Sequence, residues 1–127
     1  MKLGRVLLLW ILFLILSSTV VFAQVVGRWN STENSCDCSV LIIIERGSDG
    51  SVSGRMNFPG AQRPIYRIAV DGDNISFLVD QPTNNAPDVT YEYDATVSGD
   101  NMTGTYTKLE PPRDDLPFSA TRSTDAP

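Results

Sequence analysis

From Asp88 to Ser98 the side chains alternate without a break, with Val89, Tyr91, Tyr93, Ala95 and Val97 on one side and Thr90, Glu92, Asp94 and Thr96 on the other. A period of two is the period of an extended strand, and a strand apolar on one side only sets that side against a core and the other in water. The same alternation recurs in short runs ended by Gly, Pro, Asp or Asn, which predicts further strands at Val25 to Asn30, Ser39 to Arg46, Ser51 to Phe58, Pro64 to Val70, Ile75 to Asp80, Met102 to Leu109 and Pro117 to Ser123. After Gln24 no window sustains a helical period.

The alternation also assigns an inner face. It comprises Val52, Gly54, Met56 and Phe58; Tyr66, Ile68 and Val70; Ile75, Phe77 and Val79; Met102, Gly104 and Tyr106; and Phe118 with Ala120. Arg67 falls on the outer face, and Val40 to Ile44 is apolar on both sides, so its pattern gives no orientation. An internal echo supports the register: Val70-Asp71-Gly72-Asp73-Asn74-Ile75-Ser76 matches Val97-Ser98-Gly99-Asp100-Asn101-Met102-Thr103 in character. Gly and Asn tolerate the positive φ of tight hairpin turns, and Ser48-Asp49-Gly50 has the same chemistry. Pro82 to Pro87 and Glu110 to Pro117 read as longer loops.

Short connections make neighbours in sequence neighbours in the sheet, and a meander of eight strands loses its exposed edges by closing on itself. The expected fold is therefore all-β, an eight-stranded antiparallel up-and-down β-barrel, with an open two-sheet β-sandwich as the alternative. An eight-stranded barrel has an interior either filled by side chains or just wide enough for one small ligand.

Lys2 and Arg5, the apolar run Val6 to Leu16, and small residues at Val21 and Ala23 form the layout of an export signal, with cleavage expected after Ala23. The domain would then occupy residues 24–123, with a frayed tail over 124–127 and no membrane span once the signal is removed. The signal holds two of the ten Lys and Arg and none of the 15 Asp and Glu, so the remaining 104 residues carry eight bases against 15 acids, a net charge of −7. That balance disfavours nucleic acid as a partner. The destination is a secreted or periplasmic space.

The chain contains no histidine and two cysteines, which removes His-based triads, His-ligated zinc and Cys/His pairs. No cofactor and no enzymatic activity are expected. Cys36-Asp37-Cys38 falls in the first hairpin turn, where three readings stay open: a short-range disulfide, a pair of thiolates for a soft metal, or an incidental turn or intermolecular bridge. Asp71 with Asp73 and Asp114 with Asp115 sit where turns call for Asp, without the spacing of a calcium loop. Asn30-Ser31-Thr32, Asn74-Ile75-Ser76 and Asn101-Met102-Thr103 are acceptor triplets for glycosylation, relevant only in a host that glycosylates its exported proteins.

Gly27-Arg28-Trp29 on the first strand together with Ala120-Thr121-Arg122 on the last resembles the calycin superfamily, which includes lipocalins and avidins. The resemblance implies that Gly27, Trp29 and Arg122 meet at the closed base of the barrel, with the guanidinium over the indole. Pro64, Val70-Asp71-Gly72-Asp73, Ile75-Ser76-Phe77, Tyr91, Gly99-Asp100, Gly104 and Pro117-Phe118 to Arg122 are also similar to a group of small exported bacterial domains with a lipocalin-like pattern. A single tryptophan after residue 23 argues against the multi-tryptophan ligand sandwich of avidins.

Trp29, Phe77, Tyr91, Tyr93 and Tyr106 are accordingly the candidate ligand-binding residues, able with Phe118 to line a cavity for a planar, mostly apolar molecule. The leading expectation is an exported, non-catalytic module that binds a small apolar ligand or an envelope protein. The alternative is an envelope protease inhibitor or other protein-interaction domain, because the pattern also resembles bacterial metalloprotease inhibitors that insert an N-terminal segment, here Gln24-Val25-Val26, into the protease.

Overall fold

A computed structural model describes residues 24–111 and 114–123. The expected export signal and the tail lie outside the described residues. Eight strands follow in order: β1 (Gly27–Glu33), β2 (Val40–Arg46), β3 (Val52–Phe58), β4 (Ala61–Asp71), β5 (Asn74–Thr83), β6 (Ala86–Ser98), β7 (Asn101–Lys108) and β8 (Leu116–Arg122). Each pairs antiparallel with the next, and β1 pairs with β8 through Trp29 opposite Arg122, Asn30 opposite Thr121 and Glu33 opposite Ser119. The result is a closed eight-stranded antiparallel β-barrel. Because the number of alternating strands is even, the first and last run in opposite directions and close with the same ladder as every other pair. The open sandwich is excluded.

The echoed turns are two-residue hairpins: Gly72-Asp73 joins β4 to β5 and Gly99-Asp100 joins β6 to β7, with Gly72 at φ 61° and Gly99 at φ 60°. A positive φ at the first central position alone is the type II′ pattern, which matches strand twist. Asn74 and Asn101 are not turn residues but the first positions of the following strands.

The sequence reading needs three corrections. The segment Pro82 to Pro87 is no long loop; β5 and β6 continue through it to the pair Thr83 and Ala86, leaving only Asn84-Asn85 as the turn, with Asn85 in the left-handed region at φ 62°. The turn is pinned by Thr83, whose Oγ1 lies 2.9 Å from Ala86 O and 3.0 Å from Pro87 O. Tyr66 is not inward. A bulge between Tyr66 and Ala69, with Arg67 at φ 50°, inserts a residue and reverses the facing of β4. Ile65 is therefore the buried residue before the bulge, Ile68 and Val70 pack against the core after it, and Tyr66 is 36% exposed. Third, β1 and β4 are displaced from their expected limits: β1 starts at Gly27 and runs on to Glu33, while β4 begins at Ala61, directly after Pro59-Gly60.

The interior is built from Trp29, Val40, Ile42, Ile44, Met56, Phe58, Ile65, Ile75, Phe77, Val79, Tyr93, Ala95, Val97, Met102, Phe118 and Ala120, all buried. Removing each large apolar side chain from water contributes about 1.5 to 3 kcal/mol, so this continuous cluster is the main source of stability. The orientation of β2 is now fixed: Val40, Ile42 and Ile44 face inward, and Ile43 lies on the outer face between its cross-strand neighbours Arg28 and Arg55.

Candidate functional site: the two ends of the barrel

The turns after β2, β4 and β6 gather at one end, together with the start of β1. Here Trp29 is fully buried, its Nε1–H donates to Val25 O at 3.1 Å, and the Arg122 guanidinium carbon lies 4.3 Å from the ring centroid. Arg122 donates from Nη1 to Val26 O at 3.0 Å and from Nη2 to Gln24 O at 2.8 Å, and its Nε is 3.3 Å from Asp100 Oδ1. One planar cation thus satisfies carbonyls of the incoming chain while covering the indole, a fork geometry lysine does not have. Gly27 makes room for it, since a Cβ at that position would lie 2.7 Å from Arg122 Nη1. The resemblance implied a meeting of Gly27, Trp29 and Arg122, and the structure brings these three residues together. Their contacts tie the first strand to the last.

At the opposite end lie the 34–39 loop, Pro59-Gly60, Asn84-Asn85 and the connection between β7 and β8. The aromatic residues converge on this end as a packed layer. Tyr93 stacks on Phe77 with centroids 5.2 Å apart and on Tyr106 at 5.7 Å, and meets Phe118 edge-on at 5.0 Å; Tyr91 meets Tyr106 edge-on at 5.9 Å. Tyr93 is fully buried, and its hydroxyl accepts from Ser35 N–H at 3.1 Å and lies 2.7 Å from Ser35 Oγ. A buried hydroxyl needs a partner, and here the protein supplies it. Tyr91 and Tyr106 are half-buried above this layer, beside Leu116, which is 47% exposed. Of the five candidate ligand residues, Trp29, Phe77 and Tyr93 are therefore core, and only Tyr91 and Tyr106 remain within reach of a partner at the mouth.

Asn34 organises the loop over that mouth. It is 3% exposed, and its Nδ2 lies 3.1 Å from Ser31 O, 3.2 Å from Ser31 Oγ and 2.8 Å from Cys38 O, while its Oδ1 accepts from Cys36 N–H at 2.9 Å. Cys36 and Cys38 are joined as a disulfide, their Cα atoms 5.2 Å apart, with Asp37 between them at φ 53°. Of the three readings of this motif, the structure takes the short-range disulfide. The sequence offered no sign of Asn34's role, because an Asn in a turn is ordinarily there for its own backbone.

The outer wall carries hollows among its described residues. One of about 400 Å³ is lined by residues including Tyr66, Arg67, Leu78, Thr90 and Lys108, and one of about 210 Å³ involves Arg67, Ser76, Phe77, Leu78 and Glu92. Neither is lined by Trp29, Tyr91, Tyr93, Tyr106 or Phe118. Tyr66 is held there by donating to Asp80 Oδ1 at 2.7 Å, and that bond raises its pKa. Sequence reasoning missed this wall because the bulge at Arg67 leaves no mark in the alternation. Among the described residues no three Cys, Asp or Glu side chains converge as metal ligands.

Burial pushes the Tyr93 hydroxyl up to about 12, against the opposing effect of its bonds from Ser35. Tyr106 is also raised, first by burial and then by the Tyr91 phenol and the charges of Asp37 and Glu33. A raised phenol favours the folded state fully below the unfolded value of about 10 and loses that contribution as pH climbs through the folded value. Stability should therefore fall by about 2 to 3 kcal/mol between pH 10 and 12 on account of Tyr93. Tyr93→Phe should remove this alkaline loss and cost about 1 to 2 kcal/mol at neutral pH, because Ser35 N–H loses its acceptor. Urea titrations of both proteins at pH 7 and pH 11 check it; a variant as stable as the parent at pH 7, with an unchanged alkaline slope, would contradict it.

No family model, curated protein or solved structure matches the chain.

Proposed function

We propose that this chain is an exported, non-catalytic binding module of calycin-like type that engages a protein partner at the loop end of its barrel. The observation that carries the reading is the closed aromatic layer: Tyr93 is fully buried and its hydroxyl is already partnered by Ser35. A guest in the interior would have to displace that layer. A protein partner needs only the mouth, where Leu116, Tyr91 and Tyr106 present apolar surface beside the Cys36–Cys38 loop. Exposed aliphatic and aromatic groups clustered within polar surroundings mark interaction sites.

Among the described residues Glu33, Asp37, Asp88, Glu110, Asp114 and Asp115 stand at this end against Arg63 and Lys108, so the complementary partner places an apolar side chain within a basic surround. Export is supported by the order of residues 1 to 23 and by a disulfide, which persists in oxidising compartments. The absence of histidine from the sequence supports a role without catalysis. The inhibitor alternative, in which Gln24-Val25-Val26 enters a protease, is less favoured, because Val25 is buried and all three carbonyls accept bonds from Trp29 or Arg122.

A photoreactive amino acid at position 116, expressed in the exporting host, should give one discrete crosslinked protein. That adduct should persist with the same group at no outer-wall position such as 103, and should fall at least tenfold on Tyr106→Ala. Equal crosslinking from positions 116 and 103, or none from either, would count against a docking mouth.

A further inference from the structure

We propose that Cys36–Cys38 is an exchange-competent disulfide that accepts electrons from small cationic thiols and passes to its dithiol form with the barrel intact. This is independent of the docking role. A disulfide stabilises chiefly by restricting the unfolded chain, and the restriction grows with the length of the loop it closes. A bridge across the single residue Asp37 is therefore a poor staple.

The loop, moreover, is held without it. The Asn34 side chain bonds to Ser31 and to Cys38 O on one side and accepts from Cys36 N–H on the other, Asp37 N–H donates to Asn34 O at 3.3 Å, and Ser35 N–H donates to the Tyr93 hydroxyl. Breaking the sulfur–sulfur bond leaves all of these in place. It also adds one. Cys36 Sγ lies 3.0 Å from Asn34 Oδ1, and a disulfide sulfur has no proton to give; as a thiol, Cys36 donates to that oxygen, which the rest of the Asn34 network already holds in position. Selective stabilisation of the reduced form makes a thiol couple oxidising.

Both cysteines are half-buried at the mouth, packed against the core from a loop whose Asp37 and Ser39 are exposed, and the external thiol would approach from that exposed side. Asp37 sits between them, and no Lys or Arg lies on the 34–39 loop, so the local charge attracts cationic thiols and repels anionic ones. In the first step an external thiolate attacks Cys38 Sγ, the bond to Cys36 breaks, and Cys36 leaves as a thiolate that takes a proton from water and, as a thiol, donates a hydrogen bond to Asn34 Oδ1. In the second step another thiolate attacks the external sulfur of the mixed disulfide, releasing Cys38 as a thiolate that is protonated in turn. Two external thiols are oxidised to one disulfide and the protein disulfide is reduced to two thiols.

The test incubates the oxidised chain, native and without denaturant, with cysteamine or with glutathione at equal thiolate concentration. Free thiols are then trapped by alkylation and counted by mass, while near-ultraviolet circular dichroism follows Tyr93 and Trp29. Reduction by cysteamine should run at least fivefold faster than by glutathione, with the dichroism unchanged, and Asp37→Asn should narrow that ratio to within about twofold. In the dithiol form Cys38 should alkylate before Cys36, and a Cys36→Ser/Cys38→Ser chain should fold with the native dichroism. Alkylation only after denaturation, loss of the dichroism on reduction, or equal rates for the two thiols would overturn the proposal.

Discussion

Gly104→Ala should cost about 3 to 5 kcal/mol, the range of severe core defects, although it adds only one methyl group. Gly104 sits on β7 opposite Ala95, and a Cβ placed there would run into Asp94 O, with Ala95 Cα at 2.6 Å and Asp94 C at 2.8 Å. These are backbone atoms of the paired strand, so no side chain can turn aside to relieve the contact. Relief would require β6 and β7 to separate where Ala95, Val97 and Met102 are packed. Urea unfolding of the variant checks this; a change below about 1 kcal/mol would show that the strands yield.

Arg122→Ala should be the other large effect, at about 2 to 4 kcal/mol. It removes charge-assisted bonds to Gln24 O and Val26 O and uncovers the Trp29 ring. Arg122→Lys should recover less than half of the loss, because an ammonium cannot serve two carbonyls and the ring face with one planar group. Trp29→Phe should reduce the penalty of Arg122→Ala by about 1 kcal/mol in a double-mutant cycle, and a coupling near zero would show that the two side chains do not act together.

These two sites mark the limits of what could be read from the residues. The meeting of Trp29 and Arg122 was legible through the resemblance of Gly27-Arg28-Trp29 and Ala120-Thr121-Arg122 to calycins, and it agrees with a closed meander, which pairs the first strand with the last. Gly104 was legible as an inward position but not as a point of close backbone approach, because a missing side chain leaves no pattern. Tyr66 shows the opposite failure. The alternation through Tyr66, Ile68 and Val70 is real, but the extra residue at Arg67 shifts one end of the strand by half a period, and positive φ at an arginine has no sequence signal. Pro82 and Pro87 suggested a long loop because proline gives up a ladder bond, yet the turn at Asn84-Asn85 lets both strands run on.

The mouth was legible only in part. Tyr91, Tyr93 and Tyr106 were assigned to one face from alternation, which is a local property. Whether the Tyr93 hydroxyl awaits a guest is decided by a residue 58 positions away, since the bond from Ser35 to Tyr93 exists only once the first loop folds over the sixth strand. Long-range satisfaction of a polar group has no period. The Cys36–Cys38 pair was visible for the same reason as Trp29, but the Asn34 network that holds it was not.

Native mass spectrometry of the protein isolated from its own exporting host addresses the central claim, a filled barrel that works through its mouth. The account predicts a chain beginning at or within two residues of Gln24, free of any retained small molecule and accompanied by a protein partner that dissociates on Leu116→Asp. A small molecule that survives isolation, and is lost from a Tyr93→Phe or Tyr106→Phe chain that remains folded, would contradict it.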